Sequence, residues 1–113
     1  MSKQATFVQK SGIIDYTATA DISVGDVVEL GTAAVGIAQT DIASGDIGAI
    51  VTAGLFDVAA ETGVAWAIGD IIYWDNANNV ATKTATDNAR AGVAVQAKLT
   101  ATAIGRISLN YSL

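Results

Sequence analysis

The side chains of this chain that can do chemistry are carboxylates, hydroxyls and a few amines. The sequence has no Cys and no His. Without His it lacks the commonest general base and the commonest metal ligand. Without Cys it has neither disulfides nor thiolate metal sites. A Ser or Thr nucleophile needs a base within reach. Lys83 and Lys98 are the amines available, and neither stands in a Ser-x-x-Lys frame. Paired carboxylates, as in glycoside hydrolysis, are the next option. The two Glu are Glu29 and Glu61, and Asp26, Asp46 and Asp70 each follow a Gly. Such Asp residues read as solvated turn residues, whereas a carboxyl tuned for proton transfer needs burial or a charged neighbour. Asp75-Asn76-Ala77-Asn78-Asn79 is rich in oxygen ligands, but it lacks the central Gly and closing Glu of a calcium loop. It reads as a hairpin tip. Neither G-x-x-x-x-G-K nor G-x-G-x-x-G occurs. The expectation is a protein with no catalytic residue, no cofactor and no metal, and not an enzyme.

The elements that would carry a site follow from composition. The chain has 113 residues and a formal net charge of −5. Its cations, Lys3, Lys10, Lys83, Lys98, Arg90 and Arg106, are scattered, so a nucleic-acid partner is not expected. Apolar runs fall far short of a membrane span, and no apolar signal segment opens the sequence. The chain therefore reads as soluble and intracellular. Hydrophobic residues make up 51%, mostly Ala and Val. That predicts a thin core of small side chains, and oligomerisation as a way to add stability.

Short apolar stretches are punctuated by Gly, Asp, Asn, Ser and Thr, the pattern of an all-β sandwich or barrel. Gly interrupts most windows that a helix would need. Period-two alternation fits Ile14, Tyr16 and Ala18, then Ala49 to Leu55, Ala91 to Ala97, and Ile107, Leu109 and Tyr111. The Ala-rich 85–91 stretch is the one place expected to form a short helical turn. A Gly-Asp pair followed by an apolar strand recurs at Gly25-Asp26, Gly45-Asp46 and Gly69-Asp70. Gly takes positive φ and Asp caps its own turn. The unequal spacing reads as one turn chemistry used three times rather than a solenoid.

The ordered set of motifs resembles the phage capsid-cement, or head-decoration, proteins. The resemblance begins at Lys3-Gln4-Ala5-Thr6-Phe7-Val8-Gln9 and Ile14-Asp15-Tyr16-Thr17. It continues through Gly25-Asp26-Val27-Val28-Glu29-Leu30-Gly31, Val35-Gly36-Ile37-Ala38 and Asp41-Ile42-Ala43-Ser44-Gly45. Gly54-Leu55-Phe56-Asp57-Val58 and the most distinctive piece, Gly69-Asp70-Ile71-Ile72-Tyr73-Trp74-Asp75, follow. Gly92-Val93-Ala94-Val95 and Arg106-Ile107-Ser108-Leu109-Asn110 close the pattern. Relatives often carry a Lys after the Phe-Asp stretch, where this chain has Ala59 and Ala60. The resemblance implies a β-rich homotrimer on the outer capsid surface of a virion, made in the bacterial cytoplasm and bound to the major capsid protein.

The expected fold is an all-β, compact single-domain β-sandwich or barrel-like (β-tulip-like) fold with short strands and at most one short helix. Residues 1–13 are expected to form an N-terminal arm or edge strand, ahead of one β domain over 14–113. Lys3, Gln4, Thr6 and Phe7 are the candidate capsid-binding residues. Phe56, Trp66 and Trp74 are the candidate oligomer interface, because aromatics are enriched at such contacts. The competing reading is a small carbohydrate- or peptide-binding module with Trp66 or Trp74 as its platform.

Overall fold

A computed structural model describes residues 12–110, and all of its regular structure is β. The strands are β1 (Ile13–Thr17), β2 (Val27–Leu30), β3 (Ala34–Ala38), β4 (Ile47–Val51) and β5 (Leu55–Ala59). They continue with β6 (Ile71–Asp75), β7 (Val80–Thr82), β8 (Ala89–Ala94) and β9 (Ile104–Leu109). They form a four-stranded sheet ordered β1-β4-β3-β2 and a five-stranded sheet ordered β5-β9-β8-β6-β7, antiparallel throughout. The fold class is therefore as the alternation indicates. β1, which begins at Ile13, is an edge strand of its sheet; the arm or edge strand expected over residues 1–13 falls mainly on residues 1–11, which lie outside the described residues.

Three local readings are corrected. The 85–91 stretch holds no helix. It is a turn in which Asn88 N–H donates to the Ala85 carbonyl and Asp87 takes a φ of 61°. The alternation from Ala49 to Leu55 spans two strands, since β4 ends at Val51 and β5 begins at Leu55. The run from Ala91 to Ala97 stops at Ala94, and a bulge opposite Ile72/Tyr73 breaks its period.

The two sheets are copies of one unit. Without β7, both orders read first, last, third, second, and the registers coincide. Thr17 pairs with Ile47 as Ala59 pairs with Ile104. Val27 pairs with Ile37 as Ile71 pairs with Val93. Ala38 pairs with Ile50 as Ala94 pairs with Ile107. The Gly-Asp pairs are part of this unit. Gly25, Gly45 and Gly69 have φ of 87°, 89° and 95°, in the left-handed region that excludes most side chains. Their N–H groups donate to Ala38, Ala18 and Ala94 carbonyls, at 2.9, 2.8 and 2.8 Å. Each of those alanines returns a bond to the neighbouring Asp carbonyl, at 3.0, 2.9 and 2.9 Å. Thr102 N–H closes a fourth turn on the Leu99 carbonyl without Gly or Asp.

Each unit also has a strap across its sheet. Ile22 bridges Ile42 in the first unit, and Trp66 bridges Lys98 in the second. A Cβ on Gly48 would strike the Ile42 side chain, and one on Gly105 would strike the Trp66 ring, so glycine lets each strap lie close.

The main core forms where the units meet. In the first sheet, Ile13, Val51, Ile37 and Val27 are cross-strand neighbours in one row on what we call its front face. Ile37, Val27 and the nearby Val35 pack against Trp74, Ile72, Ile107, Leu109 and Phe56, on the back of the second sheet. Ala81, Ala89, Ala91 and Ala94 keep this core thin, as the composition indicates. A smaller cluster of Ala18, Ile42 and Ile50 lies beneath the first strap.

Candidate functional site

Six of the carboxylates, on Asp21, Asp26, Asp41, Glu61, Asp70 and Asp75, hold backbone N–H groups. Asp26 accepts from Ser23 N–H at 2.9 Å, and Asp70 from Ala67 N–H at 2.8 Å. Asp21 and Asp41 exchange roles across the first strap, accepting from Ser44 and Val24 N–H at 2.9 and 2.8 Å. Glu61 accepts from the Thr82 hydroxyl and from Lys83 N–H. Asp75 caps the β6–β7 tip by accepting from Ala77 and Asn78 N–H, and Asn79 has a φ of 55°. The segment over 75–79 is thus the hairpin tip that the sequence indicates.

The shifted acids all move in one direction. Asp70 is held below the ordinary 3.8, first by Ala67 N–H and then by the Lys83 ammonium 3.1 Å away. The two-pronged Arg106 bond lowers Asp57 in the same way, and the Asn78 amide and N–H lower Asp75. Such shifts favour the ionised carboxylate; a general acid needs the opposite. Among the described residues, no three carboxylates stand close enough together to hold a metal ion.

Among the described residues, Lys98 has no carboxylate partner. It is 4% exposed, and its Nζ donates to the Glu61, Leu99 and Thr102 carbonyls at 3.0, 3.2 and 3.0 Å. The ammonium lies 5.5 Å from the centre of the Trp66 ring, a cation–π contact. Lys98 therefore pins the second strap from beneath, where the first unit has Ile42.

Trp66 and Trp74 both lie inside the chain's own core, and Phe56 is half-buried against it. A stacking platform needs an open ring face, so the carbohydrate or peptide reading loses its carriers. Of the three aromatics proposed for an oligomer contact, only Phe56 retains surface. Lys3, Gln4, Thr6 and Phe7 lie outside the described residues. An open cleft of about 1000 Å³ separates the sheets beside β2 and the β6–β7 tip, with Asp26, Glu29 and Asp57 at its rim and Ile37 and Val58 deeper in.

Several large aliphatic side chains are exposed. Leu55, Ile71 and Ile104 lie on the front of the second sheet, Ile13 and Ile47 on the front of the first, and Val24, Ile68 and Leu99 near the strap turns. Sequence reasoning did not single these out, because an isolated Ile in an alternating strand does not say which face is covered.

Two β units in which many of the acids hold backbone or an Arg, and in which several large aliphatic side chains stand exposed among polar ones, suit a structural role. The model of the phage cement protein family matches residues 8–109, and the chain belongs to that family. It is a structural family of the phage capsid. A search of curated proteins finds no match, and neither does a search of solved structures.

Proposed function

We propose that this chain is a head-decoration protein that binds the outer surface of a phage capsid as an oligomer and reinforces it. The family match over nearly the whole chain carries this reading. The physics supports it. A cement protein needs a surface that keeps its shape under load, and here two sheets, paired straps and capped turns supply rigidity without a reactive group. Repetition over a symmetric lattice turns modest single contacts into tight retention through avidity. The partner is the major capsid protein; with a net charge of −5 and no basic cluster in sequence, a nucleic-acid partner is not proposed. The chain would be made in the host cytoplasm and end on the virion surface.

Residues 2–10, with Lys3, Gln4, Thr6 and Phe7, are the proposed docking segment. They precede the β1 edge, where a mix of polar and apolar side chains can lie on a neighbouring protein. Deleting residues 2–10 should leave the far-ultraviolet circular dichroism spectrum β-rich and cut head occupancy at least tenfold, read by cryo-electron microscopy of heads mixed with protein. Unchanged occupancy by the folded deletion would reject the docking role. Failure of the full chain to bind heads would reject the decoration role itself.

A further inference from the structure

We infer that the front face of the second sheet binds the back of the first sheet of another copy, head to tail. The chain's own duplication supplies the template. In the first unit, the front row runs Ile13, Val51, Ile37, Val27, and Ile37 is only 7% exposed because it packs on the back of the second sheet. The registers place Leu55, Ser108, Val93 and Ile71 in the equivalent row of the second unit. That row has the same aliphatic character at its ends, and among the described residues these ends stand exposed. Leu55 is 63% exposed and Ile71 45%, with Ile104 beside them at 59%.

The receiving side is also duplicated. Phe56 and Trp74, on the back of the second sheet, receive the first unit's front. Their equivalents in the first unit are Ile14 and Leu30, which stay partly exposed. One interface is thus formed within the chain, and a second front and a second back keep aliphatic side chains exposed at their margins, around buried centres at Ser108 and Ile50. These surfaces differ, so the contact between copies is heterologous. A heterologous contact closes into a ring if its rotation allows and otherwise runs on as a filament. A second copy is the occupant because the chain already contains the matching pair of faces in contact. The inference rests on the oligomeric reading above and gives it a surface.

The test uses two single variants of the full chain, Leu55→Lys on the front and Ile14→Glu on the back, with folding checked by circular dichroism. Light scattering at micromolar concentration should give an assembly for the unchanged chain and a monomer for each variant alone. Mixing the variants restores one intact front and one intact back, so the mixture should reach twice the monomer mass and stop there. Ile71→Lys and Ile14→Ser form a second pair should the first not fold. A monomeric unchanged chain, or variants that still assemble alone, would overturn the inference. Head occupancy of the unchanged chain, measured separately, tells that failure from failure of the decoration reading.

Discussion

At the residue scale, Asn110 ties the units together through its side-chain amide. Its Oδ1 accepts from Val35 N–H at 2.9 Å, and its Nδ2 donates to the Val35 and Thr52 carbonyls at 2.6 and 2.9 Å. It does so from a φ of 53°, which Asn tolerates better than most residues. Asn110→Ala would leave one N–H and two carbonyls at the seam without partners and should cost about 2 kcal/mol, measured by urea unfolding. A loss under 0.5 kcal/mol would show that water replaces the amide fully. Nothing in the sequence marks Asn110, because its partners are 75 and 58 positions away. Lys98 was equally illegible as a buried group. Its role needs three carbonyls and a Trp ring that only the strap brings together. The Asp residues were legible, since each capping bond of Asp26, Asp70 and Asp75 is made within three residues.

At the scale of the element, the Gly-Asp turn is the recurring device, and through Asp70 it joins Asp57 and Asp75 in the protein's response to acid. The folded-state values of Asp57, Asp70 and Asp75 lie below the ordinary 3.8. A depressed carboxyl adds stability that is fully present above its unfolded value and is lost as pH falls through the folded value. The thermal midpoint should therefore hold down to about pH 4 and then decline. In Asp70→Asn the amide oxygen can still accept from Ala67 N–H, but the charge facing Lys83 is gone. The variant should have a lower midpoint at neutral pH and a shallower acid decline, read by calorimetry from pH 2 to 7. Parallel curves for the two proteins would remove Asp70 from the account. The sequence announces these turns through Gly-Asp, yet the same logic hid the fourth, where Leu99 and Thr102 close a similar turn without either residue.

At the scale of the whole molecule, strand content was legible from period-two alternation, but the duplication was not. The echo Gly36-Ile37-Ala38 and Gly92-Val93-Ala94 is short, and the β6–β7 hairpin lengthens the second unit, so the copies drift out of step along the chain. Pairing and burial reveal it, and they bear on cooperativity. The main core takes Val35 and Ile37 from the first unit and most of its other members from the second, so neither unit keeps its covered face without the other. Both tryptophans, Trp66 and Trp74, belong to the second unit, so fluorescence reports that unit, while circular dichroism reports both sheets. The two signals should follow one urea transition, the mark of two-state unfolding. Val35 is fully buried on the first unit's side of the seam. Removing two methyl groups in Val35→Ala should cost about 2 kcal/mol. The fluorescence midpoint, although its reporters are on the other unit, should shift together with that of circular dichroism. Separate midpoints, with fluorescence unmoved by Val35→Ala, would mean that the units are independent and that the seam between them is not the core of the fold.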